Sequence, residues 1–451
     1  RDGYADRDYM QKYSDAPAEL EAHLKSRTPQ WAAEITGVPA AEIERIASMY
    51  GQTKRAFIRV GYGFSRQRNG AASVHAVSCI ATVGGKWLQR GGGTFYSNSD
   101  IYKINDSLIK GTDRIDPRVR ILAQSRAGAV LTGDKRDLGE GPPVTAMLIQ
   151  NTNPAVVCPD SNTVRAGFIR NDLFVCVHEQ FITDTAKYAD IVLPATTFLE
   201  HDDMYRAGGH SYFQVTRKVI EPYAESRENH YVVCELARRL GAELRGFTLS
   251  AWEIIDESLR MSGYPDAATL HREHWLNRQP DFERAHFIAG FPTSDGKFRF
   301  KPDWKSRGRD FAKMPVLPDY MGAEERADAT HPFKLVTAPA RSYLNSTFTE
   351  TPGSRKREAR PTALVHPDDC TRLGITNGSR IELGNARGAV IVRAKIFDGV
   401  QPGVIVVESI WPNSAFERGI GINALTGADA CAPNGGAAFH DTAVWIKPCD
   451  A

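Results

Sequence analysis

Three short polar turns hold the residue types that nucleotide recognition needs. They are Gly61-Tyr62-Gly63, Asn151-Thr152-Asn153-Pro154 and His178-Glu179-Gln180, the last followed closely by Thr183 and Thr185. A carboxylate such as Glu179 accepts hydrogen bonds from an amino-bearing base, and free N–H groups at the start of a helix favour phosphate. Together these groups suit a purine nucleotide. Each also has a plainer reading. Gly61-Tyr62-Gly63 lacks the third glycine of a dinucleotide fingerprint, since Gly70 is too far on, and alone it is a tight turn. Asn153-Pro154 initiates turns, and Glu179 with Thr183 also fits a first-turn acid and a helix cap. Their recurrence behind three apolar runs favours the binding reading.

Other chemistries find less support. His178-Glu179 does not extend to HExxH, because Ile182 and Thr183 occupy the later positions. Glu200-His201-Asp202-Asp203 reads as an exposed acidic loop before it reads as a hard-metal site. The segment around Ser211 is not a nucleophile elbow. No catalytic side chain and no metal ligand is assigned.

The runs that position these turns alternate with helices. "RAFIRVGYG", "VTAMLIQNTNP", "DLFVCVHEQ" and "DIVLPATT" are near-continuous apolar strands, separated by "NGAASVHAVSCIATVGG", "TVRAGFIRN" and "TDTAKYA" as helices. This pattern implies a doubly wound parallel sheet covered on both faces, whose ligands sit beyond the carboxyl ends of the strands. Before it, residues 17–53 read as helices. After it comes a helical and irregular stretch, then a proline- and charge-rich boundary near Arg326. Beyond the boundary, "FKLVTAP", "TALVHPD", "SRIELGN", "GAVIVRAKI", "GVIVVESI" and "TAVWIKP" predict a small closed β-barrel. The expected division is 1–54, 55–325 and 326–451.

Across 451 residues the formal net charge is +2, with Lys and Arg interspersed among Asp and Glu, which argues against a nucleic-acid surface. No run approaches the length of a membrane span. The seven cysteines are scattered and form no CxxC pair, which predicts free buried thiols.

"TKRAFIRVGYGFSRQRNG", "LIQNTNPAVVCPD", "DLFVCVHEQFITDTAKYADIVLPATTFLEHDD" and the last third through "INALT" resemble the molybdopterin-dependent oxidoreductases of the dimethyl sulfoxide reductase and formate dehydrogenase type. The resemblance covers nearly the whole chain and implies an α/β fold with a C-terminal double-psi β-barrel. It implies bis-molybdopterin guanine dinucleotide with molybdenum or tungsten, and a 4Fe-4S cluster in an N-terminal part not contained here. The contact residues it implies are Gly61, Gly63, Phe64, Asn151, Asn153, Pro154, Glu179 and Thr183 in the α/β region. In the barrel region they are Arg341, Asn345, Ser346, Asn423, Phe439, His440 and Asp441. A small-molecule substrate and an electron-transfer partner follow from the same resemblance.

The departures bear on function. The family's cysteine cluster and metal-ligating Cys, selenocysteine or Ser have no counterpart in this sequence, which opens on Arg1, so a carboxyl-terminal portion, inactive alone, is expected. The formate-oxidising type carries an Arg-Gly pair where this chain has "GGGTFYSNSD", with Ser97 and Asn98 near the place and Arg90 short of it. Substrate is left open. A non-catalytic scaffold subunit and a non-redox hydratase or transhydroxylase on the same cofactor are the alternatives. Scattered thiols favour the cytoplasm, with the periplasm open.

Overall fold

The four apolar runs of the α/β region all form strands, but in two sheets. The computed structural model describes residues 1–307, 309–408, 410–431 and 435–449. In it β1 (Phe57–Arg59) pairs in parallel with β2 (Gly93–Phe95) alone. A separate parallel sheet contains β3 (Ala146–Gln150), β4 (Phe174–Glu179) and β5 (Ile191–Pro194) in that order. The turn at Gly61 to Gly63 therefore does not share a sheet edge with the turns behind β3 and β4, and the expectation of three successive strand ends is corrected. The glycine run that reads as a loop explains the difference. A Cβ at Gly92 would stand 2.2 Å from the Lys86 carbonyl, and one at Gly93 2.7 Å from the Trp87 ring, with Gly93 at φ 106°. Only glycine permits that approach, and it brings β2 beside β1.

The sheet β3-β4-β5 packs its Ile149, Val175 and Val177 face against Leu131, Val164 and Phe168 of the neighbouring helices. On the other face Leu148, Phe174 and Ile191 stay 40%, 47% and 46% exposed. The continuous apolar character of these runs is therefore not accounted for by packing within the described residues. The helices Pro29–Thr36 and Ala40–Gln52 form as expected, yet neither contributes a buried residue. "TDTAKYA" yields a single 3-10 turn at Ala186–Tyr188 instead of a helix. The stretch read as helical and irregular also contains an antiparallel sheet, β6 (Asp203–Tyr205), β7 (Tyr212–Thr216) and β8 (Leu276–Asn277). Phe213 and Val215 of β7 meet Ile255, Leu259 and Leu270 in its core.

The barrel closes on the six predicted strands. They are β9 (Phe333–Val336), β10 (Thr362–Val365), β11 (Arg380–Asn385), β12 (Gly388–Ile396), β13 (Val404–Val407) and, after a small ladder of β14 (Ala430–Cys431) with β15 (Gly436–Ala437), β16 (Thr442–Pro448). Their order around the barrel is β10-β12-β11-β16-β9-β13, with β10 parallel to β12 and β9 parallel to β13, in the double-psi arrangement. Burial alternates along β9, β10 and β13, which points Phe333, Leu335, Ala363, Val365, Ile405 and Val407 inward. Among the described residues no helix is long and apolar enough to cross a membrane.

Candidate functional site

The turns behind β3 and β4 are tied to each other beneath the surface. Asn151 takes a left-handed φ of 52°, which asparagine tolerates, and its N–H donates to the His178 carbonyl at 3.3 Å. Pro154 then opens the short helix Pro154–Val157 at the position where a missing N–H is harmless. Asn153, 6% exposed, caps nothing; its Oδ1 accepts from the Thr185 hydroxyl at 2.7 Å and the Thr185 N–H at 3.1 Å. The Thr185 hydroxyl in turn accepts from the Ala155 N–H at 3.0 Å. The Ala186 N–H donates to the Thr183 hydroxyl at 3.2 Å. Two of the N–H groups expected to greet a phosphate at this helix start are thus already bonded, and the helix itself is only one turn long.

Glu179 ends β4 half-buried in a cavity wall. Its Oε1 accepts from the Gln180 N–H at 2.7 Å. Burial pushes its carboxyl pKa up, the Gln180 bond and His178 opposing. Among the described residues no Lys or Arg pairs with it, which leaves an acceptor for a donor-rich base. His178 beside it is fully buried, its ring bonded to Gln150 at 3.1 Å and to the Arg227 carbonyl at 3.0 Å. It belongs to the core.

Two cavities, of about 960 Å³ and about 400 Å³, meet at Asn151, Thr152, Asn153, Ser346 and Thr347. Glu179 and Thr183 line the larger; Asn345, Asn423 and Phe439 line the smaller. Eight of the fifteen expected residues are therefore brought together by turns from both the sheet and the barrel, since Asn151, Asn153 and Ser346 line both.

The other seven line neither cavity. Gly61 and Gly63 are exposed with open space about them. Phe64 is exposed, Arg341 is exposed and Pro154 is buried. His440 keeps a buried Nε2 with no partner among the described residues, and its pKa is lowered by burial and then by Arg66. Asp441, 1% exposed, pairs with Arg68 at 3.2 Å.

Sequence reasoning missed Arg66, Ser125 and Thr347, which bring a cation and two hydroxyls to the smaller cavity. Arg66 stands over the Phe439 ring with 5.9 Å to its centre. Its signal lay in "GFSRQRNG", polar residues directly behind the first glycine turn. The acidic run is not the exposed loop expected: Glu200 is buried, and His201, Asp202 and Asp203 are half-buried and line the larger cavity. Glu200 is 6% exposed and accepts from the Thr197 and Tyr223 N–H groups, both at 2.6 Å, which hold its pKa down. Asp202 binds Arg217 and the Lys218 N–H, each at 2.9 Å. Among the described residues no group of three or more His, Cys, Asp or Glu side chains is placed to hold a metal ion. Arg90 packs over Phe282, and Asn98 donates to the His210 carbonyl at 2.6 Å.

Comparison with known proteins gives the family. Residues 20–239 match the family described as Molybdopterin oxidoreductase, and residues 333–443 match the Molydopterin dinucleotide binding domain. The chain belongs to the molybdopterin oxidoreductase family. The first segment contains the turns behind β3 and β4, and the second runs from the start of β9 into β16. Among relatives of this molybdopterin oxidoreductase chain, the probable oxidoreductase YoaE of Bacillus subtilis is 34% identical over 98% of the chain and 64% of its own length. The trimethylamine-N-oxide reductase of Haemophilus influenzae is 27% identical over 91% of the chain and 56% of its own length. The chain thus spans under two thirds of either relative. Acetylene hydratase from Pelobacter acetylenicus superposes with a TM-score of 0.76 at 18% identity, covering 99% of the chain and 68% of that structure, a likeness of fold.

Proposed function

We propose that this chain holds the dinucleotide and pterin ends of a bis-molybdopterin guanine dinucleotide cofactor, with molybdenum or tungsten, in a longer oxidoreductase. The observation that carries the reading is the pair of joined cavities, walled by turns of both the sheet and the barrel, with Glu179 uncompensated in the larger one. The residues fit such a group. Glu179 offers acceptor oxygens to the N–H groups of guanine, and Ser346 and Thr347 stand where both cavities share a wall, suited to pyrophosphate. Arg66 supplies donors in the smaller cavity toward the pterin side, where Ser125 and Asn423 line the wall with their own donors bonded to the Gly435 and Val156 carbonyls. When bound, the cofactor supplies the redox or atom-transfer chemistry. The protein's residues named here bind, orient and shield it. Substrate, electron partner and the 4Fe-4S cluster are assigned to the longer enzyme.

A scaffold descendant has no use for an uncompensated half-buried carboxylate, which costs stability with nothing in return. The test is the nucleotide content of the full-length protein. Release of guanosine monophosphate on acid hydrolysis, in proportion to chain, supports the reading. Its absence, or release of a different nucleotide, contradicts it.

A further inference from the structure

We propose that Asn413, in the loop between β13 and β14, is a positioning residue that couples the barrel to both cofactor-facing turns. The inference rests on the dinucleotide reading above and adds to it how the site is set. Asn413 is 7% exposed and lines neither cavity, while its neighbours Pro412 and Ser414 line the larger. Its backbone N–H donates to Asp184 Oδ2 at 3.1 Å, behind β4. Its Nδ2 donates to the Ala155 carbonyl at 3.3 Å, behind β3. Its Oδ1 accepts from the Gly421 N–H at 3.0 Å, within the barrel loop itself.

One barrel asparagine thus reaches the segments behind two strands, and those segments are already joined through Ala155, Thr185 and Asn153. Asn423 in the same loop adds a bond from its Nδ2 to the Val156 carbonyl at 2.8 Å. Buried amide networks of this kind admit one arrangement, because any rotation strands a donor or an acceptor away from water. The space around the hub is also closed on the barrel side. A Cβ on Gly421 would lie 2.7 Å from Asn413 Oδ1, so glycine at that position lets the amide sit where it does. The turns that wall the cavities are therefore set across the interface between sheet and barrel. Displacing the Asn413 amide frees the β3 segment directly at Ala155, and the β4 segment through the Ala155, Thr185 and Asn153 bonds, without altering any atom that faces the cofactor.

The test compares full-length wild type with Asn413→Ala, which deletes the side-chain bonds to Ala155 and Gly421 and keeps the backbone bond to Asp184, and Gly421→Ala, which pushes the amide aside from the barrel. Hydrogen exchange is read by peptide mass at residues 153–157 and 183–187 and along β11 and β12, and pterin per chain is measured after dialysis. The expected result is exchange faster by about tenfold in both turn segments, with β11 and β12 unchanged and pterin retention falling severalfold. Retention equal to wild type in both variants overturns the proposal. So does uniform acceleration that includes the barrel strands, which marks a merely structural loss. If Asn413→Ala does not fold, the same readouts on Gly421→Ala decide. Wild-type protein that carries no pterin nucleotide overturns the dinucleotide reading itself, and this inference with it.

Discussion

Arg68 and Asp441 form a buried ion pair, 3.2 Å apart, with side chains 6% and 1% exposed. Arg68 precedes the helix Gly70–Val83 and Asp441 precedes β16, so the pair clasps the α/β part to the barrel. The guanidinium also donates to the Asp441 carbonyl at 2.9 Å and lies near Asp429 and Glu325. Burial opposes its charge, and the carboxylates outweigh that, holding its pKa above the ordinary value. Removing one partner of such a pair leaves the other charged and dry. Arg68→Ala is expected to destabilise the protein by about 3–5 kcal/mol, read by chemical denaturation.

Asp441→Asn separates the clasp from the cofactor contact that the family resemblance implies. The clasp role predicts an equal fall in melting temperature for protein with and without cofactor. A fall confined to the cofactor-bound form would return Asp441 to the binding site.

Glu179→Gln is expected to move stability and binding in opposite directions. Burial raises the carboxyl pKa in the fold above its unfolded value. The folded chain therefore takes up that proton at higher pH than the unfolded one, and the cost of the buried charge is present at neutral pH and relieved as pH falls. Removing the charge should stabilise cofactor-free protein at pH 7 and change little well below the carboxylate range. Cofactor retention should fall, because the acceptor for the base is weakened. In wild type, retention should decline on acidification from a pH above the ordinary glutamate value of about 4.3. Equal retention in the variant would remove Glu179 from the site.

Gly70→Ala tests the first turn. A Cβ there would meet the Phe64 carbonyl at 1.6 Å, so the turn must shift or the helix start must open. Overpacking of this kind costs about 1–3 kcal/mol, measurable as a lower melting temperature. Unchanged stability would show that the Gly61 to Phe64 segment moves freely.

The cysteines give a chemical test of burial. All seven are free, and burial pushes the thiols of Cys79 up to about 12 and of Cys158 and Cys431 up to about 11. These three should resist alkylation at pH 8 in folded protein and react on denaturation, as counted by intact mass.

The barrel strands were legible as apolar runs punctuated by Gly, Pro, Asn or Asp, and three of them, β9, β10 and β13, also alternate in burial. Sheet membership was less so. Nothing in "RAFIRVGYG" shows that β1 pairs with a strand drawn from a glycine run 34 residues after its last strand residue, from Arg59 to Gly93. The helix expected at "TDTAKYA" stops after one turn because Ala189 is already extended and the Asp190 N–H bonds the Val175 carbonyl, which commits the chain to β5. The cavity-facing residues at strand ends were visible as exposed polar turns. Asn413 was not, because a buried hub is defined by partners more than 200 residues away, 229 to Asp184 and 258 to Ala155.

The most direct measurement is a structure of the full-length protein purified with its cofactor. The account predicts guanine density against Glu179 in the larger cavity, a pyrophosphate near Ser346 and Thr347, and pterin density entering the smaller cavity beside Asn423 and Arg66. Cofactor density elsewhere, with both cavities filled by solvent or by neighbouring side chains, would contradict it.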